Sequence, residues 1–92
     1  MTRNDAENVA IEALGWIAAD TELAGIFLSS SGVAVNDLRT LVQDAAFLAG
    51  VLDFLLAVDS HVVGFCDKAG LPYDAPMRAR AALPGGEAVN WT

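Results

Sequence analysis

A chain of 92 residues with twelve acidic against five basic side chains, net charge −7, has room for one hydrophobic core and not for two. Its overall field opposes binding to nucleic acid and to anionic membrane, since both are polyanions. Hydrophobic residues make up 54% of the chain, but seventeen of them are alanine, which buries little area and favours helix, so the composition is helical before it is greasy.

The one cysteine, Cys66, cannot close an internal disulfide and suits a reducing compartment. The opening MTRNDAENVA is polar from the start and lacks the apolar core of a signal peptide. A cytoplasmic protein is expected.

Apolar positions recur at three- and four-residue spacing, and no stretch alternates long enough for a strand. Asn4, with Glu7 three residues on, is expected to cap a first helix that runs to about Ala19 and buries Val9, Ala10, Ala13, Leu14, Trp16 and Ile17. Asp20 then caps a second helix, with Leu23, Ile26 and Phe27 inward, that stops at SSSG. There Gly32 can turn left-handed and Val33 can fold back on the last turn. Val35 or Asn36 opens a short third helix carrying Leu38, Leu41 and Val42. Asp44 and Asp59 are expected to cap a fourth and a fifth, the latter ended by Gly70-Leu71-Pro72. Asp74, with Pro76 just inside, starts a last short helix that Pro84-Gly85-Gly86 ends.

Residues 47–66, FLAGVLDFLLAVDSHVVGFC, are almost wholly apolar, and a membrane span needs about 20 such residues in one helix. Asp53, Asp59 and His61 interrupt the run, and each aspartate at the centre of a span would cost about 2.5–3.5 kcal/mol. The segment therefore reads as two helices. In the first, over about 45–58, Phe47, Val51, Phe54, Leu55 and Val58 share one face, and Leu48, Leu52 and Leu56 widen it. A helix apolar over most of its circumference must be enclosed, here by the first, second and fifth helices. The predicted fold is all-α, a compact orthogonal bundle of five to six short helices around this central one. Ala46, Gly50, Asp53 and Ala57 fill the remaining sector, either as a thin edge facing water or a neighbouring helix, or as the seam of a homodimer.

Few residues suggest chemistry. FLSSSGVAVNDLRTLV has the cadence of a helix-turn-helix within residues 21–43, but its second helix offers Asp37, Arg39, Thr40 and Gln43, one acid cancelling one base where phosphate contacts are needed. A DNA-associated regulator is thus the second reading of function. His61 and Cys66 are five apart, about 140° around a helix, and structural zinc takes four ligands; Cys66 reads as core and His61 as core edge. No nucleophile elbow or phosphate loop is present. No catalytic, cofactor-binding or metal-ligating residue is assigned, and no cofactor is expected.

Lys68, Arg78 and Arg80 gather three of the five basic residues toward one end, followed by LPGGEAVNWT with Trp91. These four are the candidate partner-binding residues, because tryptophan and arginine anchor many interfaces. Leu83 and Trp91 either clip back onto the helices across the glycines or leave a mobile tail, so residues 1–86 are read as the helical domain and 87–92 as a tail. A small interaction or adaptor domain, with a protein partner or a second copy, is the leading expectation.

The strings FLSSSG, DLR, FLAGVLDFLL and LPGG together resemble a small family of uncharacterised bacterial proteins of about this length, a domain of unknown function. The resemblance runs from the first helix to the paired glycines. It implies a stand-alone, all-helical bacterial cytoplasmic protein and carries over no catalytic or ligand residue.

Overall fold

The computed structural model describes residues 1–83. Six α-helices follow one another in this part of the chain: α1 (Arg3–Ala18), α2 (Thr21–Ser31), α3 (Leu38–Leu41), α4 (Ala45–Leu56), α5 (Asp59–Ala69) and α6 (Ala75–Ala81). A single 3-10 turn, Val35–Asp37, leads into α3, and no strand occurs among the described residues. The all-α bundle expected from periodicity is the fold found.

α1 begins earlier than its sequence suggests. Thr2, not Asn4, is its cap, and the Thr2 Oγ1 accepts the backbone N–H of Asp5 at 3.1 Å. Threonine serves at a cap nearly as well as asparagine, so the earlier site adds helix at no loss. Glu7 then pairs with Arg3 at 3.4 Å, one turn back, rather than closing a capping box. The stripe Ala6, Val9, Ala10, Ala13, Leu14, Ile17 is buried along the whole helix, with Trp16 half-buried at its edge.

The apolar segment breaks where Val58 takes an extended backbone, and α4 and α5 meet at 110°. No single helix among the described residues is long and apolar enough to cross a membrane. Leu48, Val51, Leu52 and Leu55 are enclosed, the last three with no exposure. The neighbours that enclose them are partly unexpected. α6 packs against both α1 and α4, with Ala75, Pro76 and Ala79 buried and Leu83 in the core just beyond it. α2 leans mainly on α1 and reaches α4 through aromatic rings.

That placement corrects the predicted face of α2. Ile26 is half exposed and Phe27 is buried, with Leu23, Ala24 and Leu28 beside it partly covered. The sets 23–26–27 and 24–27–28 have identical helical spacing, so periodicity alone does not choose between them. Val58, at the break, is also exposed rather than inward.

Candidate interaction groove

α4 is enclosed on most of its surface but not all of it. Its capping residue Asp44 accepts the N–H of Ala46 at 2.9 Å, which fixes the start of the helix and so the direction of each side chain after it. Phe47, Gly50 and Phe54 then fall along one flank at helical spacing. α2 stands opposite and ends there because Gly32 is left-handed, φ 71°, with its N–H donating to the carbonyl of Leu28 at 3.0 Å. Between the two helices runs an open groove of about 400 Å³.

Aromatic rings make its floor. The buried Phe27 ring meets Phe54 edge-on, centroids 5.2 Å apart, and meets Phe47 edge-on at 6.0 Å. Both α4 rings are only half covered. Between them a Cβ built on Gly50 would meet no atom within 4 Å, so the middle of the groove stays open. The rim is polar. Ser30 donates its hydroxyl to the Phe27 carbonyl at 3.2 Å, and Ser31 donates to the Leu28 carbonyl at 3.5 Å while accepting the Val33 N–H at 3.4 Å. On the α4 side stands Asp53, whose carboxylate accepts from Arg80 Nε at 2.7 Å.

The rings continue past the groove. Phe54 stacks on His61 at 6.4 Å, His61 lies 6.0 Å from Trp16, and Trp16 meets Phe65 edge-on at 6.4 Å. His61 Nδ1 is shut off from solvent and has no hydrogen-bond partner among the described residues. Its ring is thus a member of an aromatic row at the core edge, as its sequence position suggests. Where that row ends, Trp16 and Phe65 line a second shallow groove between α1 and α5, of about 380 Å³.

The sequence-predicted partner-binding residues are dispersed among different neighbours. Lys68 is exposed on the α5 side of that second groove. Arg78 is exposed on α6, while Arg80, two residues on and about 200° around the helix, turns to Asp53. Trp91 lies outside the described residues. Cys66 is buried, 1% exposed, and burial pushes its thiol pKa up, with Asp67 and Asp74 adding to the effect. Among the described residues no three of His, Cys, Asp and Glu come together to hold a metal ion. The second helix of the 21–43 hairpin is a single turn, Leu38–Leu41, a short element to present to a DNA groove.

Sequence reasoning placed Phe47 and Phe54 in the enclosed face and so passed over the groove. A signal was available: a glycine midway between two phenylalanines on one helix flank, opposite a helix end made of three serines.

Fold and groove together define a small all-α domain with an aromatic-floored, polar-rimmed groove between α2 and α4. The chain belongs to the family described as "Protein of unknown function (DUF3572)", whose model matches residues 3–86. No curated protein and no solved structure matches it.

Proposed function

We propose that this chain is a protein-interaction domain, working in a reducing cytoplasm, that takes one or two large apolar side chains of an extended or helical peptide segment into the α2/α4 groove. One observation carries the reading: three phenylalanine rings converge on an open mouth beside Gly50, on the flank of a helix whose opposite face is buried. Apolar lining with a few polar groups at the edge is the composition of sites that hold side chains and small ligands, and about 300–1,000 Å³ is their usual size. The serine hydroxyls and Asp53 at the rim suit the polar backbone that such a segment brings with it. A groove this small supports modest affinity, on the order of micromolar, or about 8 kcal/mol.

The test is a photo-crosslinking amino acid at Ser31, on the rim, in full-length protein exposed to its native lysate. A discrete adduct is expected, and Gly50→Arg should abolish it while leaving the helical circular dichroism unchanged, because position 50 has room for a side chain. An adduct that survives Gly50→Arg, or that forms equally from a crosslinker at the exposed Met77 of α6, refutes the assignment.

A further inference from the structure

We infer that the α1/α5 groove is a self-association surface whose occupant is the same groove of a second copy of this chain, held by reciprocal Glu12–Lys68 pairs. This face is separate from the α2/α4 groove and is independent of what docks there.

Glu12 stands on the α1 wall of the groove and Lys68 on the α5 wall, both exposed. Among the described residues neither side chain has an ion-pair partner, and the two do not pair with each other across the groove. Nor does an opposite charge stand three or four residues from either on its own helix, where helical pairs form. Arg3 and Arg80, by contrast, are both paired. The surface between Glu12 and Lys68 is apolar. Trp16 is half-covered there, and the buried Phe65 meets it edge-on at 6.4 Å. The α1 wall is low at Gly15, where an added Cβ would meet no atom within 4 Å. Ile11, one turn earlier on α1, is 43% exposed and carries the apolar strip beyond the groove.

A site with an acid on one wall and a base on the other is its own complement. A two-fold axis running along the groove, in the plane of its mouth, lays α1 of each copy across α5 of the other. Each Glu12 then meets the second copy's Lys68, and one geometry makes two ion pairs. The same closure covers both half-exposed Trp16 rings, and tryptophan is among the commonest interface anchors. A peptide or small molecule would have to bring its own acid and base at matching spacing; a second copy has them by construction. Size sets the strength. The described surface is 5523 Å², and covering about a tenth of it on each copy buries roughly 1,100 Å² in all, the low end for specific complexes. The expected dissociation constant is on the order of tens of micromolar. Each copy carries net charge −7, but that repulsion is screened over about 8 Å at about 0.15 M salt, whereas pairs closed within an interface are screened much less.

Sedimentation equilibrium of the full chain at about 0.15 M salt, from about 5 μM to about 1 mM, should show a monomer–dimer equilibrium. Glu12→Lys and Lys68→Glu each put like charges into both contacts of a homodimer. Each should weaken dimerisation at least about tenfold, with helical circular dichroism unchanged. Mixed in equal amounts the two variants should associate again, because each contact of the mixed dimer holds one acid and one base. The double variant Glu12→Lys/Lys68→Glu should dimerise by itself for the same reason. Gly15→Gln, which fills the groove without altering charge, should leave a monomer. In a Trp91→Phe background Trp16 is the sole indole; its emission should move to the blue as concentration rises, and should stay fixed when Lys68→Glu is added. A chain that is monomeric across the whole range overturns the inference. So do single variants that dimerise like the parent, which would place the interface on another face. A mixture of the two variants that stays monomeric also overturns it, since Glu12 and Lys68 would then serve some other ligand.

Discussion

Gly64 of α5 lies directly against the Trp16 ring of α1. A Cβ built on it would lie 2.9 Å from Cζ2 of Trp16, inside van der Waals contact, and the indole is rigid and wedged between His61 and Phe65. Gly64→Ala therefore sets two effects against each other. Helix propensity gains about 1 kcal/mol, while overpacking costs about 1–3 kcal/mol, so a net loss of roughly 1 kcal/mol is expected in urea unfolding. A red shift of Trp16 emission, as its ring is pushed outward, should accompany it. Tyr73 offers a separate residue-level test, because it is the one tyrosine of the chain. Its hydroxyl donates to Asp67 at 2.7 Å, and that hydrogen bond, together with the Asp67 charge, raises the phenol pKa. The folded state holds this proton more tightly, so the contact stabilises the fold below the ordinary tyrosine pKa of about 10 and ceases to do so as pH rises through the raised folded value. Ultraviolet titration of phenolate should show a midpoint above that of the unfolded chain, and Asp67→Asn should bring it back down.

Helix ends show which parts of an element its sequence can specify. Both glycine stops were legible: Gly32 and Gly70 each take φ 71°, a conformation that disfavours other residues, so a glycine after the last apolar position is nearly unambiguous. Starts were less so, because any of several neighbouring polar side chains can cap. Asp20 accepts the N–H groups of Glu22 and Leu23, and Asp44 that of Ala46. At the start of α5 the capping position is Val58, leaving Asp59 inside the first turn, and Asp74 precedes α6 without a side-chain hydrogen bond. Four aspartates that look alike in the sequence thus divide into two pairs. Asp20→Ala and Asp44→Ala should each cost about 0.5–2 kcal/mol, whereas Asp59→Ala and Asp74→Ala should stay within about 0.5 kcal/mol, as surface substitutions do. Chemical denaturation of the four variants measures the contrast, and equal losses at all four would contradict the cap assignments. Asp44→Ala carries a second consequence, since that cap fixes the register of Phe47, Gly50 and Phe54; crosslinking from Ser31 should weaken in it more than in Asp20→Ala.

At the scale of the molecule, the enclosure of α4 and two of its neighbours, α1 and α5, were legible, but the place of α6 beside it was not. Burial can be read from a helix's own periodicity, which marks Leu48, Leu52 and Leu55 as inward; which other helix covers each side depends on how the short loops aim the chain, and periodicity is silent on that. α6 was expected as a short last helix, but its place in the core was the contact least visible in advance. It is seven residues long, rich in alanine and arginine, with no wide apolar stripe to announce that it packs on α1 and α4. Its small residues are the reason it fits: Ala75 and Ala79 let its backbone lie close to both helices, and Leu83 fills the core beyond them. Because α6 stands where α2 was expected, α2 is left leaning outward and the α2/α4 groove stays open, so the unforeseen packing of α6 and the missed groove have one cause. This makes α6 part of the folding unit. Leu83→Ala alone should cost about 2–5 kcal/mol, a large share of the roughly 5–15 kcal/mol that holds a domain of this kind together. A chain ended before Ala75 loses that side chain along with the buried Pro76 and Ala79, and should show no cooperative thermal transition by circular dichroism. A chain ended after Gly86, which keeps α6 and Leu83, should unfold cooperatively. Loss of folding in the longer of these two chains would place stabilising contacts beyond residue 86, and persistence of folding in the shorter one would remove α6 from the core.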